Sequence, residues 1–174
     1  ANISTKISPI SKQDVIDEFG KKIKFVLNGG ESKIGLESTI INLTKKPQIL
    51  RLGGIERNKI NNFLKTNMKF IKNKNYILVP GQGRVHYSPA IPMRLNVKKP
   101  KKNEAFILIK KRKSYSKNFF YLTKNNNLKE AAKNLYKTLR IIKKNKFNSI
   151  AIEKIPNTGF GEAINDRLIR ASKF

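Results

Sequence analysis

Residues 29–39 read Gly-Gly-Glu-Ser-Lys-Ile-Gly-Leu-Glu-Ser-Thr. Glycines let backbone N–H groups close around an anion, and the neighbouring hydroxyls of Ser38 and Thr39 can bind phosphate or carboxylate oxygens. Arg51, further along, offers a planar fork of N–H donors suited to a phosphate. The stretch matches neither a Walker loop nor a dinucleotide fingerprint. A loop hydroxyl also forms turns more often than it holds ligands, so two readings of Ser38 and Thr39 stand side by side. Other chemistries are narrowed by composition. With no Cys, disulfides, thiolate metal sites and cysteine nucleophiles are excluded. The single histidine, His86, cannot make a histidine metal cluster by itself.

These groups need elements to hold them. Ser11-Lys12-Gln13-Asp14 predicts a capping box, with Asp for Glu, opening a short helix that turns Val15, Ile16 and Phe19 inward and stops at Gly20. Residues 23–27 read as a strand followed by a Gly29-Gly30 turn. Residues 38–43 and 48–52 predict two more strands, separated by a turn at residues 45–47. Residues 56–66 predict a helix with Ile60, Phe63 and Leu64 at helical spacing. Residues 67–103 carry Pro80, Pro89, Pro92 and Pro100 and no acid, and cannot build a core of their own. Beyond them, strands are predicted at 105–109, 119–122 and 149–155. Helices are predicted around Leu128, Ala131, Ala132, Leu135, Leu139 and Ile142, and over 162–173. Strand–helix alternation of this kind predicts an α/β layer with partly parallel strands.

The net charge of +27 divides as +6 over residues 1–66, +9 over 67–103 and +12 over 104–174. Such a charge attracts RNA or DNA through counterion release. The plainer reading is that Lys and Asn fill solvated positions, since the charge is diffuse and no basic patch is interleaved with aromatics. Hydrophobic residues make up 39%, enough for a packed core. No apolar run approaches the roughly 18 residues of a membrane span, and no leader-like pattern opens the chain. A reducing, cytoplasmic setting is expected. The chain opens on Ala1-Asn2 rather than Met, which reads as the middle of a longer protein.

Five blocks carry a resemblance. They are Asn2-Ile-Ser-Thr-Lys-Ile-Ser-Pro9, Gly35-Leu-Glu-Ser-Thr-Ile-Ile-Asn-Leu43, Ile49-Leu-Arg-Leu-Gly-Gly-Ile55, Pro80-Gly-Gln-Gly-Arg-Val-His-Tyr-Ser-Pro89 and Gly159-Phe-Gly-Glu-Ala-Ile-Asn-Asp-Arg-Leu168. In this order they resemble the threonylcarbamoyl-AMP synthases of the long form, which join a YrdC-like catalytic domain to an accessory domain. The resemblance implies an α/β fold: an incomplete YrdC-like twisted sheet over residues 1–66, an interdomain linker over 67–103, and a small Rossmann-like domain over 104–174.

It also implies an activity. L-threonine, bicarbonate and ATP would be joined into threonylcarbamoyl-adenylate with release of pyrophosphate, serving the threonylcarbamoyl mark on adenosine 37 of tRNA. By the resemblance, Asn2 and Ser8 line the ATP phosphates with Mg2+ nearby, Arg51 and Tyr87 meet the nucleotide, and Ser38 and Thr39 hold threonine. Tyr87 would also close the site from water. Each role has a structural counterpart: Ser8 as a turn former, Thr39 as a strand opener, His86 as a linker anchor, and Asn165-Asp166-Arg167 as caps or a domain-interface pair. The family's Lys-x-Arg pair, its first threonine-binding segment and the Ser of Ser-Ala-Asn are not found in the sequence. The chain is therefore expected to be a C-terminal fragment, inactive alone, whose partners include a separate N-terminal half and tRNA or tRNA-modifying proteins. Gln82 and Arg84 replace the Met and Tyr of the family linker, which predicts a looser closure.

Overall fold

The computed structural model describes residues 2–44, 46–71, 77–113 and 116–173. Helix α1 spans Lys12–Phe19 and runs into a 3-10 turn at Gly20–Lys22. The capping box forms as expected: Ser11 Oγ accepts from Asp14 N at 3.2 Å, and Asp14 Oδ2 accepts from Ser11 N at 3.1 Å. Gly20 ends the helix with φ of 52°. Ile16, however, is exposed, because α1 packs no residue fully into a core.

Strand β1 (Ile40–Asn42) pairs antiparallel with β2 (Gln48–Arg51). Ile49 also bridges Phe70 in parallel, through Ile49 N to Lys69 O at 3.1 Å and Ile71 N to Ile49 O at 3.0 Å. The turn expected at 45–47 includes Lys45, which lies outside the described residues. Residues 23–27 do not form a strand; among the described residues no strand pairs with them, and Phe25 and Leu27 are 77% and 81% exposed. Helix α2 (Arg57–Phe63) is shorter than predicted and ends before its second turn is complete. Only Ile60 is buried, and Phe63 and Leu64 face solvent.

The second sheet has four parallel strands in the order β3-β6-β4-β5: Met93–Arg94, Ile150–Ile152, Ala105–Lys110 and Phe119–Thr123. Helices α3 (Leu128–Lys144) and α4 (Phe160–Ala171) pack on each other. Asn127 caps α3, its Oδ1 accepting from Lys129 N at 2.9 Å and Glu130 N at 3.0 Å. Leu135, Leu139 and Ile142 are buried in the core with Ile107, Leu122, Ile152, Ile164 and Leu168. Each such side chain contributes about 1.5–3 kcal/mol. The alternate residues Phe106, Leu108 and Ala151 form a second cluster, as the two-residue period of strands requires.

Residues from the first third of the chain and from the proline-containing stretch join the same core. Ile7, Tyr87 and Ile91 are buried within the cluster built by α3, α4 and the parallel sheet. Two glycines mark where backbones cross at close quarters. A Cβ on Gly35 would lie 2.5 Å from Lys133 O on α3, and one on Gly53 would lie 2.3 Å from Glu37 O. The loop before β1 is thus pressed between α3 and the end of β2.

Candidate functional site

Arg51 closes β2, and its guanidinium turns back over the preceding loop. Nε donates to Ser38 O at 3.0 Å, Nη2 to Ser38 Oγ at 2.9 Å, and Nη1 to Pro80 O at 3.1 Å. One cation therefore joins the loop before β1 to the start of the Pro80–Pro89 motif. Tyr87 completes the group. Its hydroxyl lies 2.1 Å, and Arg51 Cδ 3.4 Å, from where a Cβ on Gly81 would sit. The fold thus brings Ser38, Arg51 and Tyr87 together around Gly81, which only a residue without a side chain permits.

The other candidates are placed differently. Thr39 Oγ1 donates to Ile55 O at 2.6 Å and accepts from Ile55 N at 3.1 Å, so its hydroxyl ties the loop to the start of α2. Ser8 Oγ donates to Glu37 Oε1 at 2.6 Å. Asn2 is half-buried, and its amide donates to the adjacent Ile3 O at 3.1 Å. His86 Nδ1 accepts from Tyr87 N at 3.0 Å, and burial pushes its pKa down, partly opposed by Glu37, keeping the ring neutral.

Tyr87 is buried at 1% exposure, with φ of 62°, a conformation bulky residues rarely adopt. It is held there by a Lys6–Ser88 bridge, in which Ser88 N donates to Thr5 O at 2.9 Å. Its ring stacks on Tyr136 at 5.8 Å and lies 5.2 Å beneath the Arg167 guanidinium.

Beneath this cluster lies a buried charge network centred on Glu37. Arg167 Nη2 and Nε donate to Glu37 Oε2 at 2.9 and 3.2 Å, and Arg167 Nη1 reaches Leu52 O at 2.5 Å. The Tyr136 hydroxyl donates to the same carboxylate at 3.0 Å. Burial pushes the Glu37 carboxyl up, but Arg167 and the Ser8 hydroxyl together outweigh it and leave it below its usual value. Tyr136 is driven well up, first by burial and then by Glu37. Arg167 is thus committed to Glu37, 130 residues earlier in the chain, and to Leu52 O. Asp166 takes both ends of Arg170, at 3.1 Å each, and Arg170 Nη1 in turn holds Gln82 O at 2.6 Å and Gly83 O at 2.9 Å. Asn165 and Asp166 line an open cleft of about 440 Å³ with Arg57, Asn67 and Lys69.

Sequence reasoning gave Glu37 no role, although it sits inside the motif that holds Ser38 and Thr39. It also passed over Tyr136. The only signal was a lone acid among small residues. Gln82 was expected to loosen the linker, and the structure shows the reverse. It is 6% exposed, with Nε2 donating to Leu50 O at 2.9 Å and Oε1 accepting from Leu78 N and Val79 N at 2.8 and 3.2 Å.

A family model described as threonylcarbamoyl-AMP synthase, C-terminal domain, matches residues 55–173. The chain belongs to the threonylcarbamoyl-AMP synthase family. Residues 1–53 match a second family model, described as telomere recombination. A threonylcarbamoyl-AMP synthase of Pyrococcus abyssi is 31% identical over 195 residues, covering 100% of this chain and 56% of the relative. That of Bacillus subtilis is 28% identical, covering 99% and 55%. Among solved structures, P. abyssi Sua5 complexed with L-threonine superposes with a TM-score of 0.84 at 29% identity, over 99% of this chain and 56% of that one. This chain thus spans about half the length of the threonylcarbamoyl-AMP synthases it matches.

Among the described residues no cluster of three or more His, Cys, Asp or Glu could hold a metal ion. Glu37, beside Ser38, is already committed to Arg167, Tyr136 and Ser8. Glu37 is therefore not free to hold the Mg2+ that the resemblance implies beside the ATP phosphates, an ion that substrate phosphates and water would chiefly coordinate. No helix among the described residues is long and apolar enough to cross a membrane.

Proposed function

We propose that this chain forms part of a threonylcarbamoyl-AMP synthase site, at which L-threonine, bicarbonate and ATP become threonylcarbamoyl-adenylate and pyrophosphate for tRNA threonylcarbamoyladenosine formation. In this reading residues 1–66 belong to the catalytic unit, 67–103 link it to the accessory unit, and 104–174 are that accessory unit. Supporting the reading, the family is that of the P. abyssi enzyme whose solved structure holds L-threonine. The observation that carries it is the convergence of Ser38 and Arg51 beside Gly81, a half-buried cation and an exposed hydroxyl 2.9 Å apart.

Arg51 would neutralise phosphate charge and Ser38 would orient threonine, so that catalysis is positioning plus electrostatics, without a covalent nucleophile. Tyr87 would wall the nucleotide side, while Asn2 and Ser8 would face the phosphates and Thr39 the threonine. ATP titrated calorimetrically into the chain tests the reading: Arg51→Ala is expected to weaken binding by about tenfold or more, the loss of one charge-assisted contact. An unchanged affinity in Arg51→Ala would remove the basis of the nucleotide assignment.

A second reading, a basic module that holds RNA, rests on a different observation. Among the described residues, ten of the eleven acidic side chains sit in ion pairs, which leaves most of the described lysines without an internal counter-charge. Transfer RNA titrated at two salt concentrations decides it, and binding absent at about 150 mM salt dismisses it.

A further inference from the structure

Loops that lead into the strands of a parallel sheet meet at one edge of it, however far apart they lie in sequence. Three such loops, 101–104, 116–118 and 145–149, precede β4, β5 and β6. They bring together Lys101, Lys102, Lys117 and Lys146, with Lys143 close by in the last turn of α3. All five are exposed, and among the described residues none enters an ion pair. The acids at this edge are already committed: Glu104, 1% exposed, to Arg94 at 2.6 Å, and Asp17 to Lys144 at 2.6 Å. Charge that is diffuse along the sequence is thus gathered by the fold. The same edge holds a hollow of about 630 Å³ bordered by Lys117, Lys146, Phe147, Asn103, Asn145 and Asn148. Among the described residues the three carboxamides make no hydrogen bond, so each keeps its donors and its acceptor for a ligand. The loops themselves are ordered. Asn103 and Lys146 turn the chain with φ of 59° and 56°, Glu104 N donates to Lys101 O at 3.3 Å, and Lys146 N donates to Lys143 O at 3.1 Å. Asn118 Nδ2 donates to Glu104 O at 2.7 Å and joins two of the loops. Cations presented on fixed turns lower the ordering cost of binding.

We infer that this amino-end edge of the parallel sheet is a binding surface for RNA, its lysines meeting phosphates and its free asparagines meeting ribose hydroxyls and base edges. The inference deepens the RNA-holding reading above and rests on it. Two features choose RNA over an anionic membrane. The three loops present no large exposed hydrophobic side chain for insertion into lipid. Phe147 is half-buried, its ring perpendicular to Phe120 at 5.7 Å between centroids. Carboxamides, which both donate and accept, also suit the mixed donors and acceptors of ribose and bases. Lys143 has a local reason for its place, since a cation is favoured at a helix C-terminus. Lys102 and Lys117 have no such reason.

The test uses the full chain and an unmodified transfer RNA transcript. Lys102→Gln/Lys117→Gln/Lys146→Gln is expected to weaken binding by about tenfold or more at about 100 mM salt, and to flatten the slope of log K against log salt by about 2–3. The same change of charge at the opposite edge of the sheet, Lys110→Gln/Lys124→Gln/Lys154→Gln, is expected to weaken binding by less than about threefold. All six lysines are exposed, so both variants should keep the parent's Tm. In the unaltered chain, bound transfer RNA should slow acylation of Lys102, Lys117 and Lys146 more than of Lys110, Lys124 and Lys154, a readout that needs no variant. Equal losses in the two triple variants, or equal protection of the two sets, would overturn the site while leaving the RNA reading in place. No binding even at about 50 mM salt would overturn both. Tighter binding to phosphatidylserine-containing vesicles than to transfer RNA, or equal binding to DNA of the same sequence, would overturn the choice of RNA.

Discussion

At the scale of single residues, the Glu37–Arg167 pair sets the stakes. Arg167 is 1% exposed in its side chain and gives its donors to Glu37 and to Leu52 O. Removing one member of a buried pair strands the other charge, which costs about 3–5 kcal/mol. Arg167→Met should therefore lower Tm by roughly 10 °C, and so should Glu37→Gln. The double variant Glu37→Leu/Arg167→Met should recover much of that loss, since an apolar pair of similar volume carries no stranded charge. A double variant as unstable as the sum of the singles would mean that the two residues act independently. The same pair fixes an acid limb. Glu37 titrates below its usual value when folded, so its contribution is fully present above the unfolded value of about 4.3 and is lost as pH falls through the lower folded one. Stability measured between about pH 6 and 3 should fall less steeply in Glu37→Gln than in the parent.

At the scale of elements, the stretch between the two sheets is the informative one. Its prolines and absence of acids mark it as coreless in sequence, and the structure shows what it leans on instead. Gln82 fastens it to β2 and Arg170 fastens it to α4. Gln82→Ala would leave Leu50 O and the amides of Leu78 and Val79 without their partner, at about 1–3 kcal/mol for each buried group. Limited trypsin digestion should then cut at exposed Arg84 several-fold faster than in the parent, while a cut rate that does not change would show the contact to be incidental. This element also shows what the sequence could and could not disclose. Helices α3 and α4 and strands β4 to β6 were legible because their periodicity records burial that they achieve locally. Residues 23–27 misled because a strand needs a partner, and periodicity does not say where the partner is. Arg51 and Ser38 were legible as a motif. Glu37 was not, because its role depends on Arg167, 130 residues later, and no local pattern connects the two. Gln82 was misjudged because a departure from the family motif was taken as a loss, whereas its amide makes three bonds that a Met could not.

At the scale of the whole molecule, the +27 charge has a division of labour behind it. Arg57, Arg94, Arg112, Arg140, Arg167 and Arg170 are all spent on carboxylates, so the arginines staple the fold while lysines dominate the unneutralised surface. Two electrostatic effects then oppose each other as salt rises. Screening weakens the ion pairs, which destabilises the fold, and it also weakens the mutual repulsion of the lysines, which stabilises it. The pairs are short and several are half-buried or deeper, where mobile ions screen little. The repulsion acts across solvent, over distances comparable with the screening length of about 10 Å at 0.1 M salt. The repulsive term should therefore respond more strongly. Tm is expected to rise by several degrees between about 20 and 300 mM NaCl, and to rise further with a multivalent anion at equal ionic strength, because such an ion condenses on a diffuse lysine surface. A Tm that falls over the same range would show that the exposed pairs, such as Lys144–Asp17 and Lys137–Glu31, hold the structure more firmly than the free lysines strain it.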